Sequence, residues 1–132
     1  MRLRGGRVRS FPPASPSARA LTASDLGASL GDRATLVQFV TEYCAYCGPT
    51  RELLGEIAAE RPGVSVVEVD AAERMDLARR LRVFTTPTVF VLGPDGTIAA
   101  RSAGKPEKGK LAESVGSVMD DGSGGDRSDA DE

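Results

Sequence analysis

The stretch TLVQFVTEYCAYCGPTRELLGEIAAE, residues 35–60, decides the fold. TLVQFV (35–40) is rich in β-branched and apolar residues and reads as a buried strand. RELLGEIAAE (51–60) sets Leu53, Leu54, Ile57 and Ala58 on one stripe of a helix. RPG (61–63) ends that helix, because Pro62 cannot continue the turn. Between strand and helix stand Cys44 and Cys47, with two residues between them. Unpaired N–H groups at a helix start favour an anion, and the thiolate is the form that attacks disulfides. Two readings of the join are open at this level. CAYC (44–47) is a dithiol pair, whereas CGPT (47–50) is a monothiol site with Cys44 as a spare.

Outward from this unit the pattern continues. VSVVEVD (64–70) reads as a strand, and Val64, Val66, Val67 and Val69 predict burial on both of its faces. AERMDLARRLRV (72–83) brings Met75, Leu77, Ala78 and Leu81 to near-helical spacing. TPTVFVL (86–92) is a third strand, GPDG (93–96) a turn, and TIAARSA (97–103) a strand that pairs back as a hairpin. KPEKGKLAESVGSVM (105–119) forms a closing helix, weakened by Gly109 and Gly116. LTASDLGASLGDRA (21–34) is a short amphipathic segment ahead of the first strand. The order predicts an α/β domain in which the first two strands are parallel, the last is antiparallel, and helices cover both faces of a mixed sheet.

The flanks read differently. Residues 1–20 carry five Arg and no acid, and residues 119–132 carry six acids, one Arg and three Gly. Neither has the apolar content to offset the entropy of ordering. We therefore expect a disordered basic arm over 1–20, one domain over 21–118 and a disordered acidic tail over 119–132. The domain has a near balance of charge, which gives no argument for nucleic acid. No apolar run approaches the roughly 18 residues of a membrane span, and no apolar core follows the N-terminal arginines. A cytoplasmic monomer is the expectation, with membrane anchoring outside the cytoplasm as the alternative if a helix precedes residue 1. Two Cys and no His exclude histidine-based catalysis and a multi-bridge scaffold. They also leave too few Cys or His ligands for a four-coordinate zinc site within one chain, so neither metal nor cofactor is expected; a metal would require carboxylate help or a zinc-bridged dimer through paired CxxC.

Over residues 35–118 the chain resembles thioredoxin. TLVQFVTEYC resembles the strand that enters the thioredoxin site, with Phe39 and Glu42-Tyr43 where the family has an aromatic and a Glu-Trp pair. RRLRVFTTPTVFVLGPDGTIAARSAGK resembles the second half of the fold, with Thr86-Pro87 at the cis-proline loop. The resemblance implies a thioredoxin-like fold with a mixed central sheet of about four strands. It also separates the two cysteine readings. With Cys44 on the first cysteine of the family motif, strand and helix both align without a gap. With Cys47 there, Thr41 and Glu42 fall into the buried strand and the helix slips by three residues.

On this resemblance the chain is a thiol–disulfide oxidoreductase acting on protein disulfides, supplied with electrons by a reductase or a dithiol carrier. Cys44 is the nucleophile, with a pKa below the roughly 8.5 of a free cysteine, and Cys47 resolves the mixed disulfide. Thr86 and Pro87 form the loop along which the substrate chain lies, and Tyr43, Tyr46 and Gly104 belong to the surrounding contact surface. Gln38 stands where the family has a buried Asp that carries a proton, and Val66 where it has the partner lysine. An amide cannot take a proton at neutral pH, so resolution would fall to water or to Glu56. The alternative is a binding module of the same fold with slow or vestigial redox activity. Gly48-Pro49 is the expected start of the regular helix, since proline is welcome in a first turn.

Overall fold

The computed structural model describes residues 19–123. The elements run α1 (Ala23–Leu26), β1 (Ala34–Val40), α2 (Cys47–Ala59), β2 (Val64–Asp70), α3 (Met75–Arg80), β3 (Thr88–Leu92), β4 (Ile98–Ala103) and α4 (Lys108–Ser123). They build a four-stranded sheet in the order β2-β1-β3-β4. β1 pairs parallel with β2 and antiparallel with β3, and β3 pairs antiparallel with β4. The mixed sheet and its helices agree with the thioredoxin-like fold expected from the sequence.

Alternation along the strands sorts the core into two layers. On one face Val37, Phe39, Val67, Val69 and Phe90 pack with Leu26, Leu77 and Leu81 of the α1–α3 side. Phe39 and Phe90 meet edge to face, 5.7 Å between ring centres. On the other face Leu36, Val89 and Val91 pack with Leu54 and Ile57 of α2 and Leu111 and Val115 of α4. β1 and β3 are buried along their whole lengths because both faces are covered.

β2 departs from expectation. Val67 and Val69 are buried, but Val66 and Glu68 on the opposite face are exposed. The reason is position, since β2 is an outer strand. On that face Val64 still packs against the α2–α4 layer, and further along an ion pair joins the strand to α2, with Arg51 donating from Nε and Nη2 to the two carboxylate oxygens of Glu68 at 2.8 and 2.7 Å. That pairing holds the Glu68 carboxyl below its usual range.

The third helix is shorter than the apolar spacing predicts. It spans Met75–Arg80, and Arg82 turns left-handed at φ 57°. The N–H of Val83 then reaches back to the carbonyl of Ala78 at 2.8 Å, and that of Arg82 to Arg79 at 3.1 Å. These are the two bonds that close a helix in a Schellman motif, here with Arg where glycine is usual. Met75, placed on the core stripe by its spacing, is exposed instead.

The boundaries also move. Residues 1–18 and 124–132 of the expected arm and tail lie outside the described residues. Arg19 and Ala20, assigned to the arm, belong to the domain: the Arg19 carbonyl accepts from Ile98 N–H at 2.8 Å and Ala20 bridges to Thr97. The next residue, Leu21, is fully buried and donates its N–H to Gly96, where φ is 90° and a Cβ would collide with the Leu21 carbonyl. At the other end residues 119–123, assigned to the tail, continue α4. The stripe of Leu111, Val115 and Val118 extends to Met119, the expected last residue of the helix, which also packs on the core; α4 itself runs four residues further, to Ser123.

α1 has only four residues and is held by its caps and by α3. Thr22 and Asp25 form a reciprocal capping box, each backbone N–H donating to the other's side chain at 3.0 Å. Arg80 donates to the Asp25 carboxylate at 2.9 Å, and Arg74 to the Asp25 carbonyl at 2.6 Å. The Arg80 bond, with help from Thr22, lowers the Asp25 pKa to about 2. Its stabilisation is therefore complete above the unfolded-state value near 4 and fades as pH falls through about 2. Asp25→Asn is expected to cost about 1 kcal/mol near neutral pH. In urea unfolding, that deficit should close between about pH 4 and pH 2. A deficit that stays constant over this window would remove the charge pair as its cause.

Candidate functional site

The first point at which β1 can meet solvent is its C-terminal end. β1, β2 and β4 all end, and β3 begins, at this one end of the sheet, as their parallel and antiparallel pairings require. The loop that follows β1 carries Cys44 and Cys47, which are joined as a disulfide with Cα atoms 5.4 Å apart. Cys47 opens α2 and is buried at 4 % exposure, while Cys44 lies outside the helix and is half-buried. Regular helix thus begins at Cys47, slightly earlier than the expected start at Gly48-Pro49. Pro49 still falls within the first turn, where a missing N–H costs no hydrogen bond. The first α-helical bond runs from Thr50 N–H to the Tyr46 carbonyl at 3.1 Å. Tyr46 caps the helix without a side-chain bond, and no acid stands in the first turn. The positive end of α2 is therefore not neutralised by its own residues.

Gln38 reaches the same place from below. It is buried on β1, and its Nε2 donates to the Cys47 carbonyl at 3.0 Å. Among the described residues no group reaches its Oε1, and the Thr50 hydroxyl, buried one turn along α2, is also without a partner. The amide thus fixes the backbone of the buried cysteine but offers no titratable proton. Glu56, considered as a substitute, does not fill that role. It lies nine residues beyond Cys47, about 13 Å along a helix that rises 1.5 Å per residue, and pairs with Lys108 at 3.1 Å.

The second wall is the loop before β3. The Thr86–Pro87 peptide bond is cis. The hydroxyls of Thr86 and Thr41 are hydrogen-bonded at 3.0 Å, which ties this loop to a residue three positions before Cys44. Thr88 donates its hydroxyl to the Thr85 carbonyl at 2.6 Å. Gly104, at φ 87°, donates its N–H to the Pro87 carbonyl at 2.8 Å, so the end of β4 closes the turn from the far side. Thr86, Pro87 and Gly104 are thus brought together. Tyr43 and Tyr46 flank the disulfide with 90 % and 61 % of their surfaces exposed.

Sequence reasoning missed Thr41, whose role depends on a partner 45 residues away. It also missed Arg101, which donates to the carbonyls of Leu81 and Arg82 at 2.7 and 2.9 Å and lies 5.0 Å from the centre of the Phe90 ring. Phe84 was missed too, although an aromatic that fits no apolar stripe immediately before TTPT is a visible signal.

The profile of the thioredoxin family matches residues 20–117. A disulfide bond formation protein of Brevibacillus choshinensis is 35 % identical over 86 residues, which cover 64 % of this chain and 72 % of that one. A thioredoxin of Chlamydia trachomatis is 31 % identical over 83 residues, covering 63 % of this chain and 80 % of that one. Among solved structures, Fasciola hepatica thioredoxin superposes with a TM-score of 0.58 at 25 % identity, covering 67 % of this chain and 83 % of that one.

The environment of Gln38 makes a definite demand on any carboxyl placed there. In Gln38→Asp, burial raises the new carboxyl pKa, because the charged form is desolvated. An acid with a raised native pKa loses stability as pH climbs from the unfolded value through the native one. Urea unfolding of this variant is expected to match the parent most closely near pH 4 and to fall behind by roughly 1–3 kcal/mol by about pH 8, the cost of an unmatched buried polar group. A deficit independent of pH would mean that the carboxyl is solvated rather than buried.

Proposed function

The chain belongs to the thioredoxin family and is a thiol–disulfide oxidoreductase, and from that premise we propose that Cys44 is the attacking sulfur and Cys47 the resolving one. The observation that carries this assignment is the unequal placement of the pair. Cys44 is open to a partner in the loop, whereas Cys47 is buried as the first residue of α2. Proteins of this family act on protein disulfides. In the reduced state the Cys44 thiolate attacks one sulfur of the substrate disulfide. A Cys44–substrate bond forms, the substrate bond breaks, and the other substrate sulfur leaves as a thiolate that takes a proton. Cys47, losing its proton, then attacks the Cys44 sulfur. The Cys44–Cys47 disulfide forms, and the second substrate sulfur leaves and is protonated. Two electrons pass from the pair to the substrate, and the reverse sequence oxidises a substrate dithiol.

The uncapped end of α2 stabilises the thiolate in both steps, since its N–H groups and dipole favour negative charge. Gln38 holds the Cys47 backbone while the sulfur changes partners. Its amide takes no proton, so we assign the proton of Cys47 to solvent entering from the Cys44 side. The loop at Thr86-Pro87, with Gly104 behind it, supplies a backbone edge beside which an extended substrate segment can lie. Repeated turnover as a monomer requires an external dithiol donor, which we propose is a reductase or a dithiol carrier.

Cys44→Ser is expected to abolish dithiothreitol-driven reduction of a protein disulfide, and Cys47→Ser to accumulate a mixed disulfide detectable by mass spectrometry. Accumulation by Cys44→Ser instead would reverse the assignment. Negligible turnover by the unaltered protein would favour a docking module of the same fold.

A further inference from the structure

Five large apolar side chains are exposed among the described residues: Tyr43, Tyr46, Val66, Met75 and Phe84. Scattered surface apolar residues need no explanation. These are not scattered. Tyr43, Tyr46 and Phe84 stand in the loops after β1 and before β3, and Met75 opens α3 behind β2, so four of the five gather at the end of the sheet that carries the disulfide. Only Val66, within an outer strand, lies elsewhere.

Phe84 is set apart by how it is held. Its side chain is 87 % exposed, yet the backbone on both sides is fixed. Upstream, Val83 N–H bonds to Ala78, and Arg101 grips the carbonyls of Leu81 and Arg82. Downstream, the Thr85 carbonyl accepts from Thr88, and Thr86 bonds to Thr41. With the backbone around it braced by four hydrogen bonds to main-chain groups and by the Thr86–Thr41 hydroxyl pair, contact at this aromatic ring orders its side-chain torsions and little of the main chain, which favours it as an anchor. Phe84 stands three residues before Pro87, and an extended segment advances about 3.3 Å per residue. A chain that delivers its disulfide to Cys44 along the 86–87 turn therefore passes Phe84 within about three residues of its own cysteine.

We infer that Phe84 sets substrate preference, its ring packing against a large apolar side chain that flanks the target cysteine in an extended segment of the protein substrate. This rests on Cys44 as the attacking sulfur. It adds a choice among substrates that the redox pair alone does not make. Chains in which apolar residues near a disulfide are uncovered, as in incompletely folded proteins, are preferred over disulfides set among polar residues.

The test compares three disulfides under dithiothreitol-driven turnover. Two are disulfide-linked peptide dimers, one with phenylalanine and the other with serine flanking the cysteine, and the third is cystine. The unaltered protein is expected to favour the phenylalanine dimer in kcat/KM by roughly tenfold, the scale of one well-packed aromatic anchor. Phe84→Ala should bring the two dimers to parity through KM, with kcat and cystine turnover unchanged, and Phe84→Leu should retain part of the preference. Equal use of the two dimers by the unaltered protein would overturn the inference, as would an equal loss by Phe84→Ala on all three substrates. Absence of turnover on all three disulfides by the unaltered protein would instead overturn the redox reading on which the inference stands.

Discussion

β1 has no side that faces water, and most of the molecule follows from that. A strand buried on both faces needs two helical layers, which α1 and α3 supply on one side and α2 and α4 on the other. It also needs every inward polar group answered. Thr35 does so by accepting from Gly31 N–H at 2.8 Å, whereas Gln38 does so only through its Nε2, which donates to Cys47, and leaves its Oε1 without a partner among the described residues. The chain cannot do sulfur chemistry with solvent until β1 runs out. The reactive pair therefore stands at the first residues that leave the core, and α2 begins there because its apolar stripe must return at once to the sheet.

The same constraint separates the tasks of the two cysteines. One member of the pair is drawn into the helix and into contact with the strand beneath, while the other stays in the connecting loop. The strand side chain beneath is an amide, so this protein keeps the geometry of its buried cysteine without a buried charge. A neutral residue there avoids the desolvation cost that an ionised carboxylate would carry. Proton traffic is thereby separated from packing.

Elements defined by short-range pattern were legible in the sequence. TLVQFV, RELLGEIAAE and TPTVFVL all became the elements their periodicity predicts, and the cysteine pair fell at the join where its register put it. Most of the departures originate in long-range placement. Valine-rich VSVVEVD reads as doubly buried, but strand order puts it at the edge, and no local pattern encodes strand order. The end of α3 was hidden because Arg82, instead of glycine, adopts the left-handed turn that closes it. The closure of the site by Thr41 and Thr86, and the bracing of the 81–82 turn by Arg101, join residues 45 and about 20 positions apart. Neither member of such a pair carries a sign of the other. Phe84 was legible as an anomaly, but its meaning depended on those braces.

Arg101 has a consequence for how this end of the molecule opens. Its guanidinium binds the turn after α3 while its own backbone is paired in β4, and the same strand leads into Gly104, which binds Pro87. The turn at 81–82, the 85–87 loop and the β3–β4 hairpin are thus fastened to one another more than to the cysteine loop. Local unfolding proceeds in cooperative units of this kind. Amide exchange in these three segments should therefore rise and fall together, while the cysteine loop can relax between its oxidised and reduced forms without releasing them. One wall of the site then behaves as a rigid template and the other as the moving part.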